Sequence, residues 1–473
     1  MNILHPASGK EGNLLTRPGA PLLEYLGKAL AAAAGAFPVP AAHRKDLPYA
    51  VRDLSRMLTS ERAELARSYW SAPRFLAAYL HYFLPWNLYR LAWLLPGLDL
   101  PLQDGAKILD LGSGPLTLPL ALWCARPDLR SLSLSFVCSD VAAKPMETGL
   151  RIFRTLAGEE SPWRITLERA PLEKALAGPE RDVDCIMAGN ILNELSVSRN
   201  STLGERLERF TEQVARRLLP GGRLFLMEPG TRLGGKLVAL TRKSALALGL
   251  HPLAPCTHSG PCPAIEQPLY HPLSQPYTGW CHFFHPVADV PAPLADLARK
   301  ARLEKDSLAF SCLLLVNPEM PLHEDTARLS GRDAPMDDLE ELEALYREMM
   351  DEDSGSLPPS VPRPDTVAET DGEGRLNLRV ISDLIRLPGE TEAARYGCCE
   401  QGLALLADAT RIPSGAFVPA LQSEARMRDA KTGALMLRRL PVKGPLPPVK
   451  SRGKPRSPKK RFPQASVETG PKK

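Results

Sequence analysis

The sequence predicts an α/β fold: a parallel sheet covered by helices, with a helical region before it and a cysteine-rich stretch and a small β module after it. Three observations point there. Short apolar runs alternate with helix-like stretches from residue 106 to residue 227, the texture of a parallel sheet with helices on its faces. A glycine pair sits directly after the first run. The composition, 44% apolar and 24% charged over 473 residues, suits a chain of about two or three domains with a sizeable core. A disordered protein or a disulfide-stapled miniprotein is excluded.

Residues 1–95 read as a helical region. Residues 52–69 carry apolar side chains at helical spacing, and residues 72–95 are aromatic-rich with the same period, broken at Pro85. Those aromatics suit simple core packing. The core domain spans 96–250. Runs at 106–111, 131–138, 164–168, 182–188 and 223–227 read as strands, and 116–125, 142–157 and 202–218 read as helices. Pro220-Gly221-Gly222 stops the last helix. Residues 251–317 read as an irregular insert rich in Pro, Cys, His and Trp, closing on a returning strand at 308–316. Residues 318–374 form an acidic linker, with 13 acids against two arginines between Asp337 and Glu373. Residues 375–437 read as a small β module, and 438–473 as a disordered basic tail with 12 basic residues and one acid. That tail's +11 leaves −6 on the rest of a +5 chain.

The glycine turn runs Ile108-Leu109-Asp110-Leu111-Gly112-Ser113-Gly114-Pro115-Leu116. Gly112 and Gly114 permit positive φ and a close approach of backbone to a ligand, and the following helix start offers unpaired N–H groups. A tight turn alone would explain D-x-G-x-G. A dinucleotide fold would want a third glycine where Leu116 sits. The missing glycine, the acid at the strand end and a second acid, Asp140, about 30 residues on suit the S-adenosylmethionine (SAM) methyltransferase fold, which is Rossmann-like. In that class Asp110 sits near the methionine amino group and Asp140 accepts the ribose hydroxyls. With Asn190, at the head of the loop after the fourth strand, they complete the candidate cofactor set: Asp110, Gly112, Gly114, Asp140 and Asn190. No catalyst is identified. The loop reads Gly189-Asn190-Ile191-Leu192-Asn193-Glu194, neither an amino-methyltransferase box nor a Pro-Cys nucleophile box, and Cys185 falls inside a strand. Asn193, Glu194 and Glu228 suit substrate orientation or helix capping equally.

Pro255-Cys256-Thr257-His258-Ser259-Gly260-Pro261-Cys262-Pro263, then Trp280-Cys281-His282-Phe283, places three cysteines in loop sequence that neither helix nor strand packing explains. Metal binding is the better reading, as zinc or as an iron–sulfur centre, and either wants four ligands. Cys312, Cys398, Cys399, His258 and His282 are candidates for the fourth. Cys312 sits in an apolar strand run, whereas Cys398-Cys399 has a polar context. A ligand there would tie the C-terminal β module to the insert across the linker.

The series D-L-G-S-G-P (110–115), L-N-E-L (192–195), M-E-P-G-T (227–231), A-P-C-x-H-x-G-P-C-P (254–263) and W-C-H-F (280–283) resembles the Rsm-twenty-two family. These are methyltransferase-like proteins of the mitochondrial small ribosomal subunit, with bacterial members. The match runs from about residue 52 to 316, with a weaker echo at 379–402. The resemblance implies a protein that binds small-subunit rRNA in ribosome assembly or translation, and a [4Fe–4S] cluster on Cys256, Cys262, Cys281 and Cys398, with Cys399 as the alternative fourth ligand. It implies a fold able to use SAM for rRNA methylation, and leaves enzymatic turnover open. Zinc on another kind of methyltransferase is the alternative. The linker and tail depart from the family pattern, and the basic segment expected after W-C-H-F is thinned to His285-Pro286-Val287.

The tail has the composition of a salt-dependent RNA contact or of a solubilising extension. Arg232, Lys236, Arg242 and Lys243 follow the fifth strand at near-helical spacing and suit one cationic face. No stretch reaches the roughly 20 clean apolar residues of a membrane span, and no secretion signal is visible. Nine cysteines then suggest a reducing compartment: the cytoplasm, or the mitochondrial matrix in a eukaryote. A monomer without membrane partners is expected.

Overall fold

The computed structural model describes residues 12–59, 69–196, 201–265, 280–287, 289–318, 375–386, 393–407, 409–422 and 434–439. All lie in one compact unit, 1–440. The acidic linker and the basic tail lie almost wholly outside the described residues, although the last strand reaches Arg439 and so takes in the first two residues of the expected tail.

The helical region comprises α1 (Ala20–Ala36), α2 (Leu47–Thr59), α3 (Pro73–Ala78) and α4 (Leu84–Leu94). Pro85 does not break the chain as expected. A wide π turn, Tyr79–Phe83, joins α3 to α4 and puts Pro85 in the first turn of α4, where a missing N–H costs nothing. Helix α4 is buried nearly all round, from Leu84 to Leu94, as expected of a helix that is apolar on every side. Its Leu88, Leu91 and Leu94 share one core with Phe136, Phe225 and Leu314 of the sheet, so the helical region is part of the sheet's packing layer.

That sheet contains β1 (Lys107–Leu111), β2 (Ser135–Asp140), β3 (Arg164–Arg169), β4 (Val183–Gly189), β5 (Leu218–Pro229), β6 (His251–Ala254), β7 (Phe283–Pro286) and β8 (Ser307–Val316). Helices α5 (Thr117–Ala125), α6 (Ala143–Ala157), α7 (Leu172–Leu176), α8 (Leu203–Arg217), α9 (Arg232–Ala247) and α10 (Ala292–Ala301) connect them. The order is β3-β2-β1-β4-β5-β8-β6. Strands β1 to β5 pair in parallel and β8 antiparallel to β5, where a dinucleotide fold would continue in parallel. This is the Rossmann-like methyltransferase arrangement.

Three local expectations are corrected. The second strand starts at Ser135, and residues 131–134 are loop. Helix α8 ends at Arg217, and Pro220-Gly221-Gly222 falls inside β5 as an irregularity where the register to β4 shifts, the hallmark of a bulge. The insert is not wholly irregular: β6 and β7 both pair antiparallel with β8. Each spans only four residues, and their proline content masks the alternation.

The C-terminal module holds β9 (Arg375–Val380), β10 (Ile385–Arg386), β11 (Ala393–Cys399), β12 (Gly402–Leu406), β13 (Phe417–Gln422) and β14 (Leu435–Arg439). Strand β9 pairs with both β11 and β13, which closes the ring β9-β11-β12-β14-β13. Among the described residues of the module only β12 and β14 pair in parallel. That order is the Greek-key order of the five-stranded OB barrel. Leu376, Leu378, Leu406, Val418 and Leu437 fill it. Among the described residues no helix is long and apolar enough to cross a membrane.

Candidate cofactor crevice and cysteine centre

Strand β1 delivers Asp110 to the sheet's carboxyl edge, and the turn beyond it carries Gly112 at φ +61° and Gly114 at φ +49°. Leu116 also adopts positive φ (+56°), a conformation that costs an L-residue about 1–2 kcal/mol. The turn therefore keeps its left-handed bend without the third glycine. Asp110 is 1% exposed. Ser113 Oγ donates to its Oδ2, while its Oδ1 is buried with no partner among the described residues. Burial pushes this carboxyl up to about 7; the Ser113 bond opposes the shift and nearby Asp140 adds to it. Asp140, at the tip of β2, accepts from the Gly114 and Ala142 amides, both at 2.9 Å. Its carboxyl is raised by burial against those bonds.

Asp110, Gly112, Gly114, Asp140 and Asn190 line one cavity of about 330 Å³. Asn190 holds φ +61° and donates its backbone amide to the Met227 carbonyl at 2.7 Å. The cavity's other wall was not foreseen. Trp70, Tyr79, Phe83, Trp86 and Arg90 from the helical region face it, together with Lys305. Some of the aromatics expected as plain core thus form a lining, and only their density in the sequence hints at it. A wider groove of about 800 Å³ between α1 and α6 holds none of the candidate residues. Glu228 accepts from the Leu192 amide at 2.9 Å and from Asn193 Nδ2 at 3.4 Å, and both side chains are buried. This pair braces the loop after β4; the side chain of Glu194 lies outside the described set.

The cysteine centre is assembled from three segments. Strand β6 launches the loop with Cys256 and Cys262, Trp280-Cys281-His282 leads into β7, and Cys398 comes from β11. Burial pushes the Cys281 thiol well above its ordinary range, and charge on Cys256, Cys398 and Cys262 would push it further. Cys398 behaves alike, with burial first and then Cys262 and Cys256. Cys256, Cys262, Cys281 and Cys398 are thus electrostatically coupled, and Cys312 is coupled to Cys281 and Cys256 as well. His258 Nε2 lies 3.2 Å from Cys398 Sγ. Cys399 points the other way: it is fully buried in the barrel core, its thiol 3.4 Å from the Gly402 carbonyl. Cys312 lies in the main core. Among the described residues no three His, Cys, Asp or Glu side chains are grouped tightly enough for a single metal ion.

Two buried arginines flank the sulfurs, and neither was expected there. Arg242, expected on a cationic helix face, is 2% exposed and turned inward, donating to the His258 carbonyl at 2.9 Å and the Gly260 carbonyl at 2.8 Å. Burial works against its charge, while thiolates at Cys256, Cys262 and Cys398 favour it, and the net shift is upward. Arg379 on β9 is 1% exposed and donates to the carbonyls of Pro255 (3.0 Å) and Gly415 (2.8 Å). His285 offers no RNA contact: it is 1% exposed and stacks on Trp93 at 4.6 Å.

The family model described as mitochondrial small ribosomal subunit Rsm22 matches residues 106–311, which bears out over that span the resemblance seen in the motifs. No curated protein matches the chain in sequence. Among solved structures, a Galdieria sulphuraria protein named as a sarcosine dimethylglycine methyltransferase is 16% identical, covering 50% of this chain and 86% of its own, with a TM-score of 0.28. A Haloferax volcanii complex of the Trm112 methyltransferase activator with a protein named as a methyltransferase gives 14% identity, 50% and 91% coverage, and a TM-score of 0.28. A methyltransferase from Pyrococcus furiosus gives 17% identity, 32% and 68% coverage, and a TM-score of 0.24.

Proposed function

We propose that this chain binds small-subunit ribosomal RNA in ribosome assembly or translation, on a methyltransferase fold that holds SAM and is stapled by a [4Fe–4S] cluster. The carrying observation is the convergence of Cys256, Cys262, Cys281 and Cys398 between two buried arginines. Buried guanidinium groups stay charged and call for anions beside them. Four metal-bound thiolates supply that charge, since a metal deprotonates its thiols. A single zinc would draw four sulfurs to within about 4 Å of one another. The resemblance of the cysteine motifs to the Rsm22 family favours the larger cluster, with zinc as the alternative. The staple would tie the barrel to the methyltransferase core.

The crevice fits SAM by its donor set. Asp110, with an unpartnered buried oxygen, would take the ammonium group, Asp140 the ribose hydroxyls, and the backbone at Gly112 and Gly114 would let the ligand approach. When bound, SAM supplies an electrophilic methyl group; this chain's residues would orient it and exclude water. The RNA reading is supported by the small-ribosomal-subunit description of the matching family, by the OB order of the barrel and by the basic tail. Cytoplasm, or the mitochondrial matrix, is the compartment this implies, with the chain a monomer.

Labelled SAM incubated with the anaerobically purified protein and small-subunit RNA separates binding from methylation. RNA retention without label transfer is expected for the binding role. Label in the RNA would instead establish an rRNA methyltransferase with a structural cluster. Absence of RNA retention at low salt would sink the RNA partner, and zinc without iron in the metal analysis would sink the cluster.

A further inference from the structure

The crevice has a cationic side. Arg90 on α4 and Lys305 in the turn before β8 line the same cavity as the candidate cofactor residues. Both are held in place. Asn87 accepts from Arg90 Nη1 at 2.7 Å and so orients the guanidinium, and Tyr82 Oη donates to the Leu303 carbonyl at 2.7 Å, which ties the Lys305 turn to the helical wall. Arg90 Nε is sealed from solvent without an acceptor among the described residues, and neither cation forms an ion pair there. The two also repel. Burial lowers Arg90 to about 10, and burial with the Arg90 charge lowers Lys305. His285 nearby adds no further positive charge, being held neutral mainly by burial.

Two half-buried like charges without a counter-ion are costly, and a fold keeps such a pair where a ligand neutralises it. The cavity is at the small end of ligand pockets, room for about one nucleoside-sized molecule. We infer that Arg90 and Lys305 form an anion-binding pole of the crevice, taking a carboxylate or phosphate carried by the nucleoside compound that the Asp110–Asp140 wall holds. Resting on the crevice reading above, the inference adds the ligand's negative group. Two sources share that chemistry: the amino-acid carboxylate of SAM and the phosphate of a nucleotide.

Calorimetric titration of the full-length protein distinguishes them. S-adenosylhomocysteine against 5′-methylthioadenosine, which lacks the amino-acid part, reads the carboxylate arm; adenosine 5′-monophosphate against adenosine reads the phosphate arm. In one arm the anionic member is expected to bind about tenfold or more tighter. Arg90→Met and Lys305→Met should each erase most of that preference, and Arg90→Lys should restore part of it. Without ligand, Arg90→Met should melt no lower than the natural protein, because a half-buried charge without a counter-ion has gone. Should Arg90→Met fail to fold, Lys305→Met reads the same preference. Nucleosides bound with no anionic preference, or a preference unchanged in both variants, would overturn the anion pole alone. No binding of any of the four compounds would overturn the crevice reading and the inference with it.

Discussion

The crevice and the cysteine centre lie in the same compact unit, yet they are built in opposite ways. Asp110, Gly112, Gly114 and Asp140 come from one β-strand, one turn and the next strand, so the first βαβ repeat alone positions them. The cysteine centre draws on residues from Cys256 to Cys398, and its parts meet only because β6 and β7 both dock on β8 while β11 closes the barrel. A site inside one repeat can persist while distant parts of the chain open. A site spanning distant elements holds those elements together, and its loss should propagate.

Removing the fourth sulfur tests that difference with the largest expected effect. Cys398→Ser should abolish the broad visible absorbance of an iron–sulfide centre and release residues 375–439 to protease. A structural metal is worth on the order of 10 kcal/mol, so the barrel should melt separately or not fold. The binding of S-adenosylhomocysteine should be much less affected. Cys399→Ser is the control: its thiol faces the barrel core, so the absorbance should persist while an added hydroxyl costs about 1–3 kcal/mol. The opposite pattern between these neighbours would reassign the ligand, and equal loss of nucleoside binding would erase the contrast between the two sites.

Asp110 sharpens the crevice side. Its carboxyl is raised by burial from 3.8 to about 7. A raised acid stabilises the fold in its protonated form. The ligand-free protein should therefore be most stable near pH 4 as far as this group goes, lose stability as pH climbs towards 7, and level off above. Ligand binding runs the other way, since an ammonium group needs the ionised carboxylate, so affinity for S-adenosylhomocysteine should rise between about pH 6 and pH 8. Asp110→Asn should flatten both profiles and weaken binding by roughly 10- to 150-fold, the worth of a charge-assisted hydrogen bond. Calorimetry across that range checks both signs, and the cysteine centre's absorbance should not change.

Much of the first repeat was legible because its signals are local. Alternating runs named β1 to β5 within a few residues, and D-x-G-x-G with Asp140 located the crevice. The misses share a cause: each depends on a partner remote in sequence. Strands β6 and β7 are four residues long and gain meaning only beside β8. Arg242 resembles its half-buried neighbours Lys236 and Lys243 unless the thiols it faces are already known. Arg379 reads as an ordinary strand cation until the Pro255 carbonyl arrives beside it. The choice between Cys398 and Cys399 turns on strand parity. Gly397 and Cys399 point into the barrel and Cys398 away, which only the closed ring reveals.

The two turn glycines supply the finest comparison, since they share a backbone region and differ in surroundings. Both hold φ in the left-handed range, where any L side chain is strained by about 1–2 kcal/mol. A Cβ on Gly114 would meet only the Trp70 ring, at an ordinary 3.6 Å. One on Gly112 would run into Cγ2 of Ile191, a buried β-branched side chain whose stiffness leaves it little room to yield. Gly112→Ala should therefore destabilise more than Gly114→Ala, by about a further 1–3 kcal/mol, the usual cost of overpacking. Ile191→Ala should recover part of that excess in the double variant, as expected for residues in contact. Denaturant unfolding of the four proteins checks the order. Equal destabilisation by the two alanines would mean that strain alone governs the turn and that the loop after β4 does not close on it.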